Sequence, residues 1–105
     1  MGNPWVLLAV AGVLEAGWAI GLKYSEGFTR LRPSVLTLIG AWASFYLLSL
    51  AMKDIPVGTA YAVWVGIGSV GTAILAVFLF HEPVTMLRLA GFGLILAGVA
   101  ALKLA

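Results

Sequence analysis

The fold class this chain predicts is an all-α membrane protein of four transmembrane helices, on three observations. Its 105 residues are 63% hydrophobic and only 10% charged, with a mean hydropathy of +1.12. A soluble domain carries about 25% charged residues, so this chain would lack a wettable surface. The apolar residues fall in four stretches, each near the ~20 residues a helix needs to span hydrocarbon. Within each stretch they run continuously instead of alternating, which argues against barrel strands. Lipid cannot satisfy backbone N–H and C=O groups, so every stretch is expected to be helical.

The first stretch, 4–22, reads PWVLLAVAGVLEAGWAIGL, about 28 Å long as a helix. A polar joint follows, carrying Lys23, Glu26, Arg30 and Arg32. The second stretch is 33–52, closed by Lys53-Asp54-Ile55-Pro56. The third, 57–80, is interrupted by Gly66, Gly68 and Gly71. His81-Glu82-Pro83 leads into the fourth, 84–102, which Lys103 closes. Residues 1–105 thus read as a single four-helix transmembrane domain.

Cysteine is absent, which excludes disulfides and thiolate metal sites. No metal or cofactor is expected. The net charge of +2 reflects a few loop lysines and arginines, not a nucleic-acid face. The N-terminus MGNPW has no basic region and the first stretch is long enough to span, so no signal peptide is expected. The reading is a multi-pass protein of the cytoplasmic (inner) membrane, with the lipid bilayer as partner.

Orientation is weakly biased. Lys23, Arg30, Arg32 and Arg88 would lie on one side, Lys53 and Lys103 on the other. The positive-inside rule places the first set in the cytoplasm, with Arg88 able to snorkel to either headgroup layer. A chain so evenly poised can insert both ways. Transporter sites often lie between inverted halves. With no internal duplication visible, a second, inverted copy would supply the other half.

Glu15 is the only charge in its stretch, at a depth where a carboxylate costs roughly 2.5–3.5 kcal/mol on insertion scales. Such a residue points to a cation site, a proton site, or both. Gly12 and Trp18 lie three residues from it and Ala11 and Ala19 four, so all share its face. Tyr61, Trp64 and Gly68 share a face of the third stretch. Thr37, Gly40, Ala41 and Ser44 make a small, partly polar stripe on the second. Together they surround a carboxylate with hydroxyl and indole donors and aromatic faces, a box suited to an organic cation.

Simpler roles compete at each position. Glu15 would be structural if bonded to another helix, but no intramembrane Lys, Arg or His is there to pair with it. Trp18 and Trp64 would be packing residues, although both sit away from the interfacial belts where Trp5 is expected as an anchor. Tyr61 and Ser44 alone resemble ordinary interhelical hydroxyls. Gly66, Gly68 and Gly71 suit either close packing or a bend. Glu26, Asp54, His81 and Glu82 read as solvated loop residues, Arg30 and Arg32 as headgroup anchors.

Jointly, these residues resemble the small multidrug resistance family over essentially the whole chain. The resemblance is carried by the acid of the first stretch, the runs LKYSEGFTRLRPS (22–34) and IPVGTAYAVW (55–64), Gly66-Ile67-Gly68, and GFGLILAGV (91–99). Trp18, three residues after the acid, and His81-Glu82-Pro83 resemble its guanidinium exporter subtype. The quaternary-ammonium multidrug branch usually has a smaller residue at the Trp18 position. The resemblance implies an antiparallel, dual-topology homodimer that exchanges protons for a cation by alternating access. It would put Glu15 of both subunits at a shared site. Trp18, Ser44, Tyr61 and Trp64 match positions that line or hydrogen-bond that site, and Gly12 a small residue beside the acid. Gly66 and Gly68 match a helix bend, Gly91 and Gly98 the fourth-helix dimer contact. Val65 departs from a Ser or Thr common in the family, and Ala16-Gly17 from bulkier residues. Either would loosen the site and broaden its substrates.

The coupling follows from chemistry. Protons and an organic cation compete for one carboxylate pair, so opposite fluxes couple if only loaded or protonated forms reorient. Guanidinium, a planar fork of N–H donors, suits bidentate pairing with carboxylate. The expected function is therefore proton-coupled export of guanidinium and small substituted guanidiniums. The alternative is a quaternary ammonium or multidrug exporter of the same family. A membrane accessory subunit would not need an acid facing aromatic and hydroxyl groups; a channel could line a pore with the same residues, and saturable, proton-coupled flux would argue against it. An enzyme is not expected, because no nucleophile–base pair or phosphate-binding loop is present.

Overall fold

The computed structural model describes residues 3–105 and contains four helices: α1 (Pro4–Tyr24), α2 (Leu31–Ala51), α3 (Val57–Phe80) and α4 (Met86–Leu104). All four are long and apolar enough to cross a membrane. The chain is a multi-pass helical membrane protein.

Local chemistry explains the helix limits. Asn3 caps α1 by accepting the Trp5 N–H at 2.8 Å, with Pro4 in the first turn, where a missing N–H leaves nothing unpaired. α1 runs two residues past the apolar stretch, to Tyr24. Its last turn is held by Lys23 Nζ over the Phe80 ring at 4.3 Å and by Tyr24 against the same ring at 5.3 Å. α2 begins at Leu31, two residues before the expected start, because Pro33 falls in the first turn and breaks no helical bond. α4 starts at Met86, later than position 84, because Thr85 caps it by accepting the Arg88 N–H at 3.1 Å. Ser25 anchors the first joint: its hydroxyl donates to Leu22 O and accepts the Phe28 N–H. Glu26, Gly27 and Phe28 then turn the chain through left-handed φ values of 49°, 74° and 66°.

The helices form a slab measuring 40 × 35 × 18 Å. α1 is the centre, packed against α2 on one side and α3 on the other, while α2 and α3 barely meet. α4 packs along α3, and in its last turn Lys103 Nζ lies 4.9 Å from the Trp5 ring centroid of α1.

Apolar burial alone does not drive helix association in lipid, where close approach of small residues matters instead. The glycines show this directly. A Cβ at Gly12 would meet Ile67 of α3, one at Gly21 would meet Thr37 of α2, and one at Gly71 would lie 3.1 Å from the Ala16 Cβ. The bulkier core lies toward the Trp5–Lys103 end: Leu8, Ala11, Leu48, Ala51, Ile55, Ala60, Val63 and Trp64. The half beyond Glu15 buries smaller groups, Ala16, Ile20 and Ala76 beside the hydroxyls of Ser34 and Thr37. No residue of α4 is buried, and Gly91, Gly93 and Gly98 have nothing packed over them.

Candidate functional site

Glu15 lies at mid-length of α1 on the side facing α3. Its carboxylate rests on the backbone of Gly68, where any Cβ would occupy the place of Oε1. That Oε1 is buried and has no hydrogen-bond partner among the described residues. The rest of the side chain borders an open cavity of about 410 Å³, lined also by Val65, Ser69 and Thr72 of α3, Phe92 of α4 and Glu82 of the last loop. A half-buried carboxylate with a free oxygen, opening into a cavity, is equipped to take a proton or a cation.

A second cluster lies on the α2 side. Ser44, fully buried, donates to the Ala11 carbonyl of α1 at 2.7 Å and accepts from the Trp64 indole of α3 at 2.9 Å. One hydroxyl thus ties three helices and uses both its donor and acceptor roles. Aromatic rings continue from it: Tyr61 to Trp64 at 5.7 Å, Trp64 to Phe45 at 5.7 Å, and Phe45 to Trp18 at 5.9 Å, the last edge-on. These are favourable aromatic separations. Trp18 Nε1 is buried and, like Glu15 Oε1, has no partner among the described residues. Tyr61 and Phe45 are about half exposed, so the aromatic face opens outward.

The structure therefore unites Trp18, Ser44, Tyr61 and Trp64 through Phe45, a residue the sequence did not single out. It sets Glu15 against Gly68 and α3, and none of those four residues lines the Glu15 cavity. Gly12 is buried against Ile67, where it lets α1 and α3 approach. α3 is one continuous helix through Gly66 and Gly68. Gly66 admits Val99 and Ile95 of α4, and Gly68 admits Glu15. Val65 lines the cavity, whereas Ala16 packs on Gly71 and Gly17 borders a separate groove against α2.

Three further residues join the site. Ser69 and Thr72, three apart on α3, line the cavity and donate their hydroxyl protons to Gly66 O and Gly68 O. Their i, i+3 spacing was the available signal. Glu82 is the third: it lies in the loop with its side chain partly exposed, as the sequence reading has it, and it also borders this cavity. Its Oε1 lies 3.6 Å from Arg88 Nη1. Backbone geometry brings it there: His81 adopts a left-handed φ of 56°, which turns the loop back over the end of α3.

Comparison with known proteins follows the same direction. Residues 3–95 match the family model for Small Multidrug Resistance protein. A guanidinium exporter of Yersinia pseudotuberculosis is 58% identical over 101 residues, which cover 96% of this chain and 97% of that protein. Guanidinium exporters of Citrobacter freundii and Salmonella typhimurium are each 54% identical over 100 residues, 95% of both chains.

Proposed function

The chain belongs to the small multidrug resistance family, and we propose that it exports guanidinium and small substituted guanidinium cations in exchange for protons. We read it as a transporter and not an enzyme, working by alternating access as an antiparallel, dual-topology homodimer. The observation that carries the reading is the unpartnered Glu15 carboxylate beside an open cavity, at a depth where an unused charge would only cost stability.

Each site residue then has a chemical role. Glu15 holds either a proton or the cation, and guanidinium presents paired N–H donors to its two oxygens. Trp18 Nε1–H can only donate, and guanidinium offers no acceptor. A carboxylate oxygen of Glu15, one helical turn away, would serve as its acceptor during the transport cycle. Ser44 spends its acceptor on Trp64 and so sets that ring's angle. Tyr61, with Trp64, offers a π-face to a planar cation. Gly68 leaves the space that the Glu15 carboxylate occupies, and Gly12 lets α1 and α3 approach beside it.

Tyr61 and Phe45 stay about half exposed, which leaves the aromatic face uncovered. A second, inverted copy would close it and bring two Glu15 side chains to one site. Gly91 and Gly98, seven apart with no neighbours over them, suit the fourth-helix contact between copies. Gly98→Leu is expected to weaken dimers at least about tenfold, because close helix approach depends on small residues. Subunit exchange or crosslinking in bilayers reads this directly, and an unchanged dimer population removes that contact from the account.

The substrate is tested by uptake into proteoliposomes. Guanidinium and singly substituted guanidiniums are expected to be carried, and tetra-aryl cations to be carried poorly, because the Trp18 indole occupies their volume. Trp18→Ala should shift the preference toward bulky cations by roughly tenfold, the scale of a pocket-size change. A wild type that moves tetra-aryl cations and ignores guanidinium would assign the chain to the quaternary ammonium branch.

A further inference from the structure

Glu82 and Glu15 both line one cavity, Glu82 from the loop after α3 and Glu15 from the middle of α1. The groups along it share one property. Ser69 donates its proton to Gly66 O at 3.1 Å and Thr72 donates to Gly68 O at 2.7 Å. Their oxygens are left with acceptor capacity only toward the cavity. From Glu82 past Thr72 and Ser69 to Glu15, the polar groups are therefore acceptors. Guanidinium is the complement of such a path, since it brings donors alone.

Glu82 is aimed there by the turn before it. His81 is left-handed, and the Glu82 N–H reaches back to the Ala76 carbonyl at 3.4 Å. The partner of Glu82 is Arg88, whose side chain ends in a guanidinium, 3.6 Å away, with both side chains about half exposed. A half-exposed ion pair of this kind adds little to stability, so a second guanidinium can replace the first at small cost. Arg88 also lines the adjoining cavity of about 310 Å³ with Glu82 and Phe92, which gives its side chain room to withdraw.

We propose that Glu82 is the gateway carboxylate of the transport path, where an incoming guanidinium ion exchanges with the Arg88 side chain before moving to Glu15. The inference rests on the guanidinium reading and adds a second, peripheral cation site to it. Arg88 acts as a resident substrate mimic that keeps Glu82 neutralised between passages. No covalent step is involved.

The test is guanidinium flux through the full-length protein in proteoliposomes, with KM and kcat measured separately at two salt concentrations. Glu82→Gln should raise KM about 3- to 10-fold at low salt, the lower range of electrostatic focusing, and should move kcat much less. High salt should erase most of that difference. Glu82→Asp, which keeps the charge, should retain most of the wild-type KM. Arg88→Gln should lower KM in the presence of Glu82 and do nothing in the Glu82→Gln background, the coupling expected of one exchanging pair. Wild-type transport with a KM indifferent to Glu82→Gln, or an Arg88→Gln effect that survives without Glu82, overturns the proposal and leaves the export reading intact. Should Glu82→Gln not fold, Arg88→Gln decides alone: an unchanged KM overturns the gateway role. A wild type that moves no guanidinium overturns both.

Discussion

Glu15→Gln is expected to abolish coupled transport, with guanidinium flux at least roughly 100-fold below wild type. The amide has no charge and no exchangeable proton at neutral pH. It also loses two charge-assisted hydrogen bonds to the cation, each worth about 1.5–3 kcal/mol, which together exceed a hundredfold. The substitution is nearly isosteric, so the contact with Gly68 and the fold should persist. Flux is measured in proteoliposomes, with size-exclusion as the control for assembly. Retained proton-coupled flux in this variant would remove Glu15 from the mechanism.

Gly68→Ala carries the second largest effect, for a geometric reason. A Cβ at this position would fall on the Glu15 carboxylate and lie 2.8 Å from its Cγ. Either the side chain leaves the cavity wall or α1 and α3 separate. A displacement near 1 Å at a reacting group can cost on the order of 100-fold, so the expected loss is about 10- to 100-fold in guanidinium flux. Gly58→Ala is the control: its added Cβ meets nothing, and alanine favours the helix by about 1 kcal/mol. Wild-type rates in Gly68→Ala would mean that Glu15 does not occupy this position when it works.

What was legible in the sequence follows from what local physics determines. Four continuous apolar runs of spanning length admit only helices, so the helical spans could be read residue by residue to within about two positions. Glu15 stood out because charge at that depth is costly wherever the helix packs. The Trp64–Ser44 bond was within reach as a polar stripe facing an aromatic one. The cavity was not. Ser69 and Thr72 share a face by their i, i+3 spacing, but only the packed helices show that this face turns toward the Glu15 cavity. Gly68 read as part of a bend, and only the packed helices reveal the carboxylate lying against it. Glu82 depends on the left-handed His81, a backbone state that a histidine between Phe80 and Glu82 does not announce. Phe45 was missed because one aromatic among many apolar residues carries no periodic signal.

The central claim is that one carboxylate, Glu15, exchanges a proton for guanidinium. Proton flux driven by a guanidinium gradient in proteoliposomes, with internal pH recorded by a trapped dye, tests it most directly. The account predicts that guanidinium moving down its gradient drives protons the opposite way, against theirs if the guanidinium gradient is steeper. The flux should saturate with guanidinium and vanish in Glu15→Gln. Guanidinium movement that leaves internal pH unchanged, or that rises linearly without saturation, would contradict it.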